Sequence, residues 1–67
     1  MKIEVKYRLF NWNGRNYIAE NFNRSSIIEV AHTENEAELD KLIKSELSIE
    51  INKPINEIKV LKFRRLL

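Results

Sequence analysis

Residues 2–10 alternate between an apolar set and a mostly charged set, and this feature constrains the fold most. The apolar set occupies the odd positions and consists of Ile3, Val5, Tyr7 and Leu9. Because successive side chains of a strand point to opposite faces, the pattern predicts a half-buried β-strand. Such a strand needs neighbouring strands and a second layer that covers its apolar face.

The dipeptide Asn13-Gly14 follows this strand and predicts a hairpin with a two-residue type I′ turn. That turn pairs Trp12 with Arg15 and Phe10 with Tyr17, and directly opposed residues share a face. In this register the inward face is apolar except for Glu20, which lies opposite Tyr7. Its apolar residues are Val5, Tyr7, Leu9, Ile18 and Phe22. The outward face carries Lys6, Arg8, Phe10, Trp12, Arg15 and Tyr17.

A third strand and a helix are predicted next. Residues 23–25 indicate a turn before the apolar run 27–31, although a bend there would make residues 16–32 one long strand. Thr33 and Glu36 fit a capping box that starts a helix. The apolar residues of the helix recur on one stripe at Leu39, Leu42, Ile43 and Leu47. Pro54 ends the helix at or before Lys53.

Residues 57–63 return to alternation and predict a last strand, with Ile58 and Val60 on one side and Phe63 on the other. The order β-β-β-α-β predicts an α+β fold, a small three- or four-stranded mainly antiparallel sheet with one amphipathic helix packed on one face. We expect the last strand to lie beside the first, because this places the two most apolar strands at the centre.

The composition excludes several protein classes. The 67 residues contain no cysteine, which excludes a disulfide framework, a thiolate metal site and a thiol nucleophile. No segment approaches the ~20 apolar residues of a membrane-spanning helix, and the charged start is unlike a signal peptide. We therefore expect one cytoplasmic domain over residues 1–67, small enough to gain from self-association.

No group of residues has the pattern of a catalytic or metal site. His32 is the only histidine, and no cysteine is present to act with it. Four acidic residues divide between two sides of the predicted helix, where the helix dipole explains them. They are Glu34, Glu36, Glu38 and Asp40. We expect a protein that is not an enzyme and that binds no metal or cofactor.

Charge is distributed unevenly along the chain. Residues 1–32 carry five bases and three acids, residues 33–50 carry two bases and six acids, and residues 51–67 carry five bases and one acid. The helix side is therefore expected to be acidic and the sheet side basic. Four residues of the last strand are expected to extend the basic face of the hairpin: Lys59, Leu61, Phe63 and Arg65.

We interpret the outward face of the hairpin as a docking surface for a macromolecule. Trp12 is the predicted anchor, and Phe10 and Tyr17 support it. The cations around these rings are Lys6, Arg8 and Arg15. Trp, Tyr and Arg are enriched at interaction hot spots, so a protein partner or a second copy of this chain is the first hypothesis. The protein would then be an accessory or inhibitory protein of a bacterium or mobile element.

Two other interpretations of this face stay open. Single-stranded RNA or DNA is the alternative ligand, because bases stack on aromatic rings and Lys and Arg neutralise phosphates. The net charge of only +2 places this alternative second. In a purely structural interpretation, Phe10 and Tyr17 form an ordinary cross-strand pair that Trp12 covers.

Overall fold

The computed structural model describes residues 1–66, which form a four-stranded antiparallel sheet and one long helix. The strands are β1 (Lys2–Trp12), β2 (Tyr17–Ala19), β3 (Arg24–Glu29) and β4 (Ile58–Leu66), and the helix α1 is Glu36–Ile51. A 3₁₀ turn, Ile55–Glu57, precedes β4. The predicted α+β class and element order are confirmed. Within residues 1–66, no helix is long and apolar enough to cross a membrane.

β1 lies at the centre of the sheet and pairs with every other strand. β4 lies beside β1, opposite residues 2–9, as expected. Within residues 1–66 it pairs only with β1, so it forms an edge of the sheet and not part of its centre, which corrects the second half of that expectation. β3 and β2 follow the other edge, opposite residues 2–7 and 10–12. Between them, the Glu20 amide donates to the Leu9 carbonyl at 3.0 Å. Residues 17–29 therefore follow β1 as one path that is interrupted at residues 20–23.

α1 covers the face that the odd residues of β1 form. Ile3 and Val5 are completely buried beneath it, as are the helix residues Leu39, Ile43 and Leu47. Tyr7, Leu9, Ile28, Val30 and Ile58 complete the buried core. Leu42 is partly buried and packs against the core. The predicted apolar stripe of the helix and the inward face of β1 are confirmed.

The helix starts two residues later than the sequence predicts. Asn35, not Thr33, is the N-cap, and its side chain accepts from the Glu38 amide at 3.1 Å. The Thr33 hydroxyl instead accepts from the Asn35 amide and contacts the Glu38 carboxylate. Asn35 and Glu38 repeat the spacing of a capping box, so two overlapping signals competed and the second one forms the cap. Asn52 ends the helix in the left-handed conformation, before Lys53 as predicted.

The predicted two-residue hairpin turn is wrong, because the reversal is displaced by one residue. The observed register pairs Trp12 with Tyr17 and Phe10 with Ala19, which leaves a four-residue loop at positions 13–16. The Asn13 side chain accepts from the amides of Arg15 and Asn16, at 2.9 and 2.8 Å. Only Gly14 has a positive φ in this loop, whereas a type I′ turn needs two such residues. The displacement keeps Trp12 and Tyr17 on one face, but it moves Arg15 from the predicted strand into the loop.

Two residues predicted to point inward are exposed. Ile18 lies opposite Asn11, and Phe22 lies in the interruption at residues 20–23, so both side chains remain more than half exposed. Glu20 does not lie opposite Tyr7, because Arg24 occupies that position. The register shift and the interruption together explain these differences from the predicted hairpin.

A bulge in β4 changes which of its residues face α1. The register with β1 shifts between Lys6 and Tyr7, so Leu61 has no partner on β1. Ile58 and Val60 face the helix as predicted, but Phe63 lies opposite Val5 and packs against the core. Arg65 also lies on the helix side, where it forms an ion pair with Glu36 at 2.9 Å. The prediction that Phe63 and Arg65 extend the outward face is therefore wrong.

Candidate functional site

Two aromatic rings are exposed together at the end of the hairpin. Trp12 and Tyr17 lie directly opposite each other, and their ring centroids are 4.9 Å apart with an interplanar angle of 51°. They are 53% and 46% exposed, respectively. The Trp12 amide points away from β2, so this is a non-hydrogen-bonded position, where opposed side chains approach most closely. We call these two residues the aromatic pair.

The segment after α1 braces the free edge of β1 beside the aromatic pair. β4 begins at Ile58, opposite Leu9, so the Phe10 carbonyl and the Trp12 amide have no strand partner on that edge. The Trp12 amide donates to the Glu57 carboxylate at 2.7 Å, and Lys53 Nζ donates to the Phe10 carbonyl at 3.3 Å. These contacts satisfy the backbone groups that a longer β4 would otherwise pair.

A shallow cleft separates this segment from the aromatic pair. Its volume is about 450 Å³, and its lining residues are Trp12, Tyr17, Pro54, Asn56 and Glu57. The Asn56 side-chain amide donates to the Tyr17 hydroxyl at 2.7 Å, which fixes the outer end of the tyrosine. The aromatic pair is thus held in place by the protein and still exposes both rings.

Like charges face each other across β1 and β4 on the side of the sheet that α1 leaves uncovered. Lys6 lies opposite Lys62, and Arg8 lies opposite Lys59. Directly opposed side chains of a sheet have Cβ atoms only about 4.5–5.5 Å apart, and like charges there are destabilising. We call these four residues the cation ladder, and we call the uncovered side of the sheet the open face.

The other charges of the open face leave it strongly basic. Glu4 lies opposite Arg64 and forms an ion pair with it at 2.8 Å. No ion-pair partner for Lys6, Lys59 or Lys62 is found among residues 1–66. A depression of about 280 Å³ runs along this region and is lined by Glu4, Lys6, Lys62, Phe63 and Arg64. An anion in it would contact cations from both strands.

The structure brings together most, but not all, of the predicted site residues. Phe10 is half-buried and follows Arg8 along the open face, next to Trp12. Arg8 is partly held by the Asn23 side chain, to which its Nε donates at 2.8 Å. Arg15 lies in the exposed hairpin loop and not on the strand, so it does not pair across the sheet with Trp12.

Sequence reasoning missed Lys62 and Arg64 as members of this face. Strict alternation assigns them to the helix side, and the bulge at Leu61 moves them to the open face. The excess of bases in residues 51–67 was a signal that this strand is basic, but it does not show which face carries the charge. The bracing residues Lys53, Asn56 and Glu57 have no signal in the periodicity.

The pKa values of Glu20 and Tyr7, near the interruption at residues 20–23, are shifted for structural reasons. The Arg24 side chain donates two hydrogen bonds to the Glu20 carboxylate, and this contact lowers the pKa of Glu20. Burial raises the pKa of the nearby Tyr7 phenol. His32 is exposed. No group of three or more His, Cys, Asp or Glu residues in the described part of the chain is arranged to hold a metal ion.

Comparisons with models of protein families, with curated proteins and with solved structures find no match to this chain. The geometry and charge of the open face and of the aromatic pair are therefore the features that indicate a function.

Proposed function

We propose that this chain is a non-enzymatic binding module that holds single-stranded nucleic acid on its open face. The cation ladder is the observation that carries the proposal. Lys6 opposite Lys62 and Arg8 opposite Lys59 are unfavourable in the isolated protein. A phosphate backbone that lies along the ladder would turn this repulsion into attraction and would release its own counterions.

The distribution of charge supports this ligand more than the net charge of +2 suggests. The open face carries six cations and two carboxylates, whereas α1 carries five acids and two lysines. The open-face cations are Lys2, Lys6, Arg8, Lys59, Lys62 and Arg64. Because ionic screening limits charge interactions to about 8 Å at physiological salt, a ligand on the open face responds mainly to this local excess.

The aromatic side chains favour a single strand over a duplex. Trp12, Tyr17 and Phe10 lie at one end of the cation ladder. Exposed rings stack on bases for ~1–3 kcal/mol each, and this requires bases that are free to leave their own stack. A strand whose phosphates follow the ladder would place its next bases at the aromatic pair.

A protein partner is the second candidate, and the cleft beside the aromatic pair favours it. The cleft combines two exposed rings with Pro54 and with the polar groups of Asn56 and Glu57. Trp and Tyr held rigidly beside polar groups are typical of interaction hot spots. This candidate uses the aromatic pair and does not need the cation ladder.

The proposal is tested by titrating a fluorescein-labelled single-stranded oligonucleotide of mixed sequence with the protein at several salt concentrations. If the four ladder cations neutralise four phosphates, the logarithm of affinity should fall against the logarithm of salt with a slope of about −3. The double variant Lys6→Ala/Lys62→Ala should reduce the slope by about 1.4, because two of those contacts are lost.

The matched control is Lys41→Ala/Lys44→Ala, which changes the net charge equally but on α1. We expect this control to bind nearly as the natural sequence does. Absence of binding at ~50 mM salt, or an equal loss in both double variants, would overturn the nucleic-acid proposal. In the first case, the aromatic pair and its cleft remain as the docking surface for a protein.

A further inference from the structure

The outer edge of β3 has backbone groups that no other strand uses. The β3 residues that lie opposite odd residues of β1 are Arg24, Ser26 and Ile28. Val30 continues this alternate set, and its amide donates to the Met1 carbonyl at 2.9 Å, so the backbone groups of the set point towards β1. In an antiparallel ladder, alternate residues point their amides and carbonyls to opposite edges. The backbone groups of Ser25, Ile27 and Glu29 therefore point away from the sheet, and β3 pairs only with β1 in residues 1–66.

The two edges of the sheet differ in how they are protected. The β4 edge carries Lys59, Lys62, Arg64 and Arg65 and contains the bulge at Leu61. Lysines and bulges are features that prevent edge strands from pairing with another chain. β3 has no lysine, proline or bulge, and its Ile27 side chain is 59% exposed. Its charges, Arg24 and Glu29, cancel.

We propose that two copies of this chain pair through the outer edges of β3, antiparallel and centred on Ile27. A two-fold axis perpendicular to the sheet keeps the open face of both copies on the same side. In this register Ile27 lies opposite Ile27 of the second copy, and Ser25 lies opposite Glu29. The pairing forms about six backbone hydrogen bonds and covers the exposed isoleucine. Pairing through β4 would instead bring cations together.

This dimer does not depend on nucleic-acid binding, although it would place two cation ladders on one continuous surface. The contact is one strand wide and lies below the size of a standard interface, so we expect a weak dimer.

Sedimentation equilibrium without nucleic acid, from micromolar to millimolar protein concentration, tests the proposal. The variant Ile27→Lys places two lysines against each other at the centre of the contact and should weaken the dimer at least about tenfold. Ile49→Lys is the matched control, because Ile49 is 76% exposed on α1. Far-UV circular dichroism checks that both variants fold.

Amide hydrogen exchange identifies the surface used. The Ile27 amide should exchange more slowly as the protein concentration rises, whereas the Leu61 amide on the other edge should not change. A monomer at millimolar concentration, a dimer that Ile27→Lys leaves intact, or an Ile27 amide insensitive to concentration would each overturn the proposal. A dimer in these experiments without oligonucleotide binding would leave this inference standing and remove only the proposed function.

Discussion

The two faces of the sheet are made by the same strand and have opposite properties. The odd residues of β1 are buried beneath α1, and Ile3 and Val5 have no exposed surface. The even residues carry charges, and Lys6 and Arg8 lie opposite other cations. Burial of an apolar side chain contributes about 1.5–3 kcal/mol, whereas an opposed pair of like charges costs about 0.2–1 kcal/mol. The covered face therefore holds the fold together, and the open face slightly weakens it.

Because of this difference, a chain of only 67 residues has one face of its sheet that its core does not require. A domain of this size has a small margin of stability, so every apolar side chain that it buries is important. Polar and aromatic side chains on the open face are needed neither for the core nor for the helix. They are free to take arrangements that a ligand can use.

The largest expected effect is on the covered face, at the centre of α1. Ile43 is completely buried, so Ile43→Ala should lower the free energy of unfolding by about 2–5 kcal/mol, since it creates a cavity. Urea denaturation followed by circular dichroism measures the loss. Ile49→Ala on the exposed side of the same helix should stay within about 0.5 kcal/mol. Similar losses for both variants would contradict the assignment of the two sides of the helix.

Periodicity predicted the covered face well, because burial determines it. The alternation in β1 and the stripe of α1 are repeated over several residues, so one local irregularity does not change either pattern. The core residues of β1 and α1 are therefore as predicted, whereas Ile18 and Phe22, which depend on the register of the hairpin, are exposed.

The open face and the hairpin were harder to predict, since single residues decide them. The Asn13 side chain accepts hydrogen bonds from two backbone amides of the loop, and these bonds favour a four-residue loop over the two-residue turn. The interruption at residues 20–23 leaves Phe22 exposed. The centroid of its ring lies 5.1 Å from the Cζ atom of Arg24. Neither feature has a period, so neither can be read from a repeating pattern.

The bulge at Leu61 is a single irregularity that decides which side chains of β4 are buried, and its effect can be measured directly. Alternation places Leu61 and Phe63 on the same face, whereas in the structure Phe63 packs on the core and Leu61 is 43% exposed. Phe63→Ala should therefore cost about 1–3 kcal/mol of unfolding free energy, less than a fully buried phenylalanine. Leu61→Ala should change it by less than about 0.5 kcal/mol. Equal effects of the two substitutions would show that β4 has no bulge in solution.

The smallest expected effect has the opposite sign and belongs to the open face. Lys62→Glu places a carboxylate opposite Lys6 and should raise the free energy of unfolding by about 0.2–1 kcal/mol, because repulsion becomes attraction. The gain should disappear in 1 M salt, where charges are screened beyond about 3 Å. Lys41→Glu, the same charge change on the acidic helix, should give no gain.

The same variant should bind oligonucleotides less tightly than the natural sequence, since it removes one phosphate contact and adds a negative charge beside the others. A substitution that strengthens the fold and weakens binding is expected where a surface is arranged for a ligand and not for stability. If Lys62→Glu instead destabilised the protein at low salt, Lys6 and Lys62 would not repel each other in solution. The cation ladder would then give no reason to expect a polyanion on the open face.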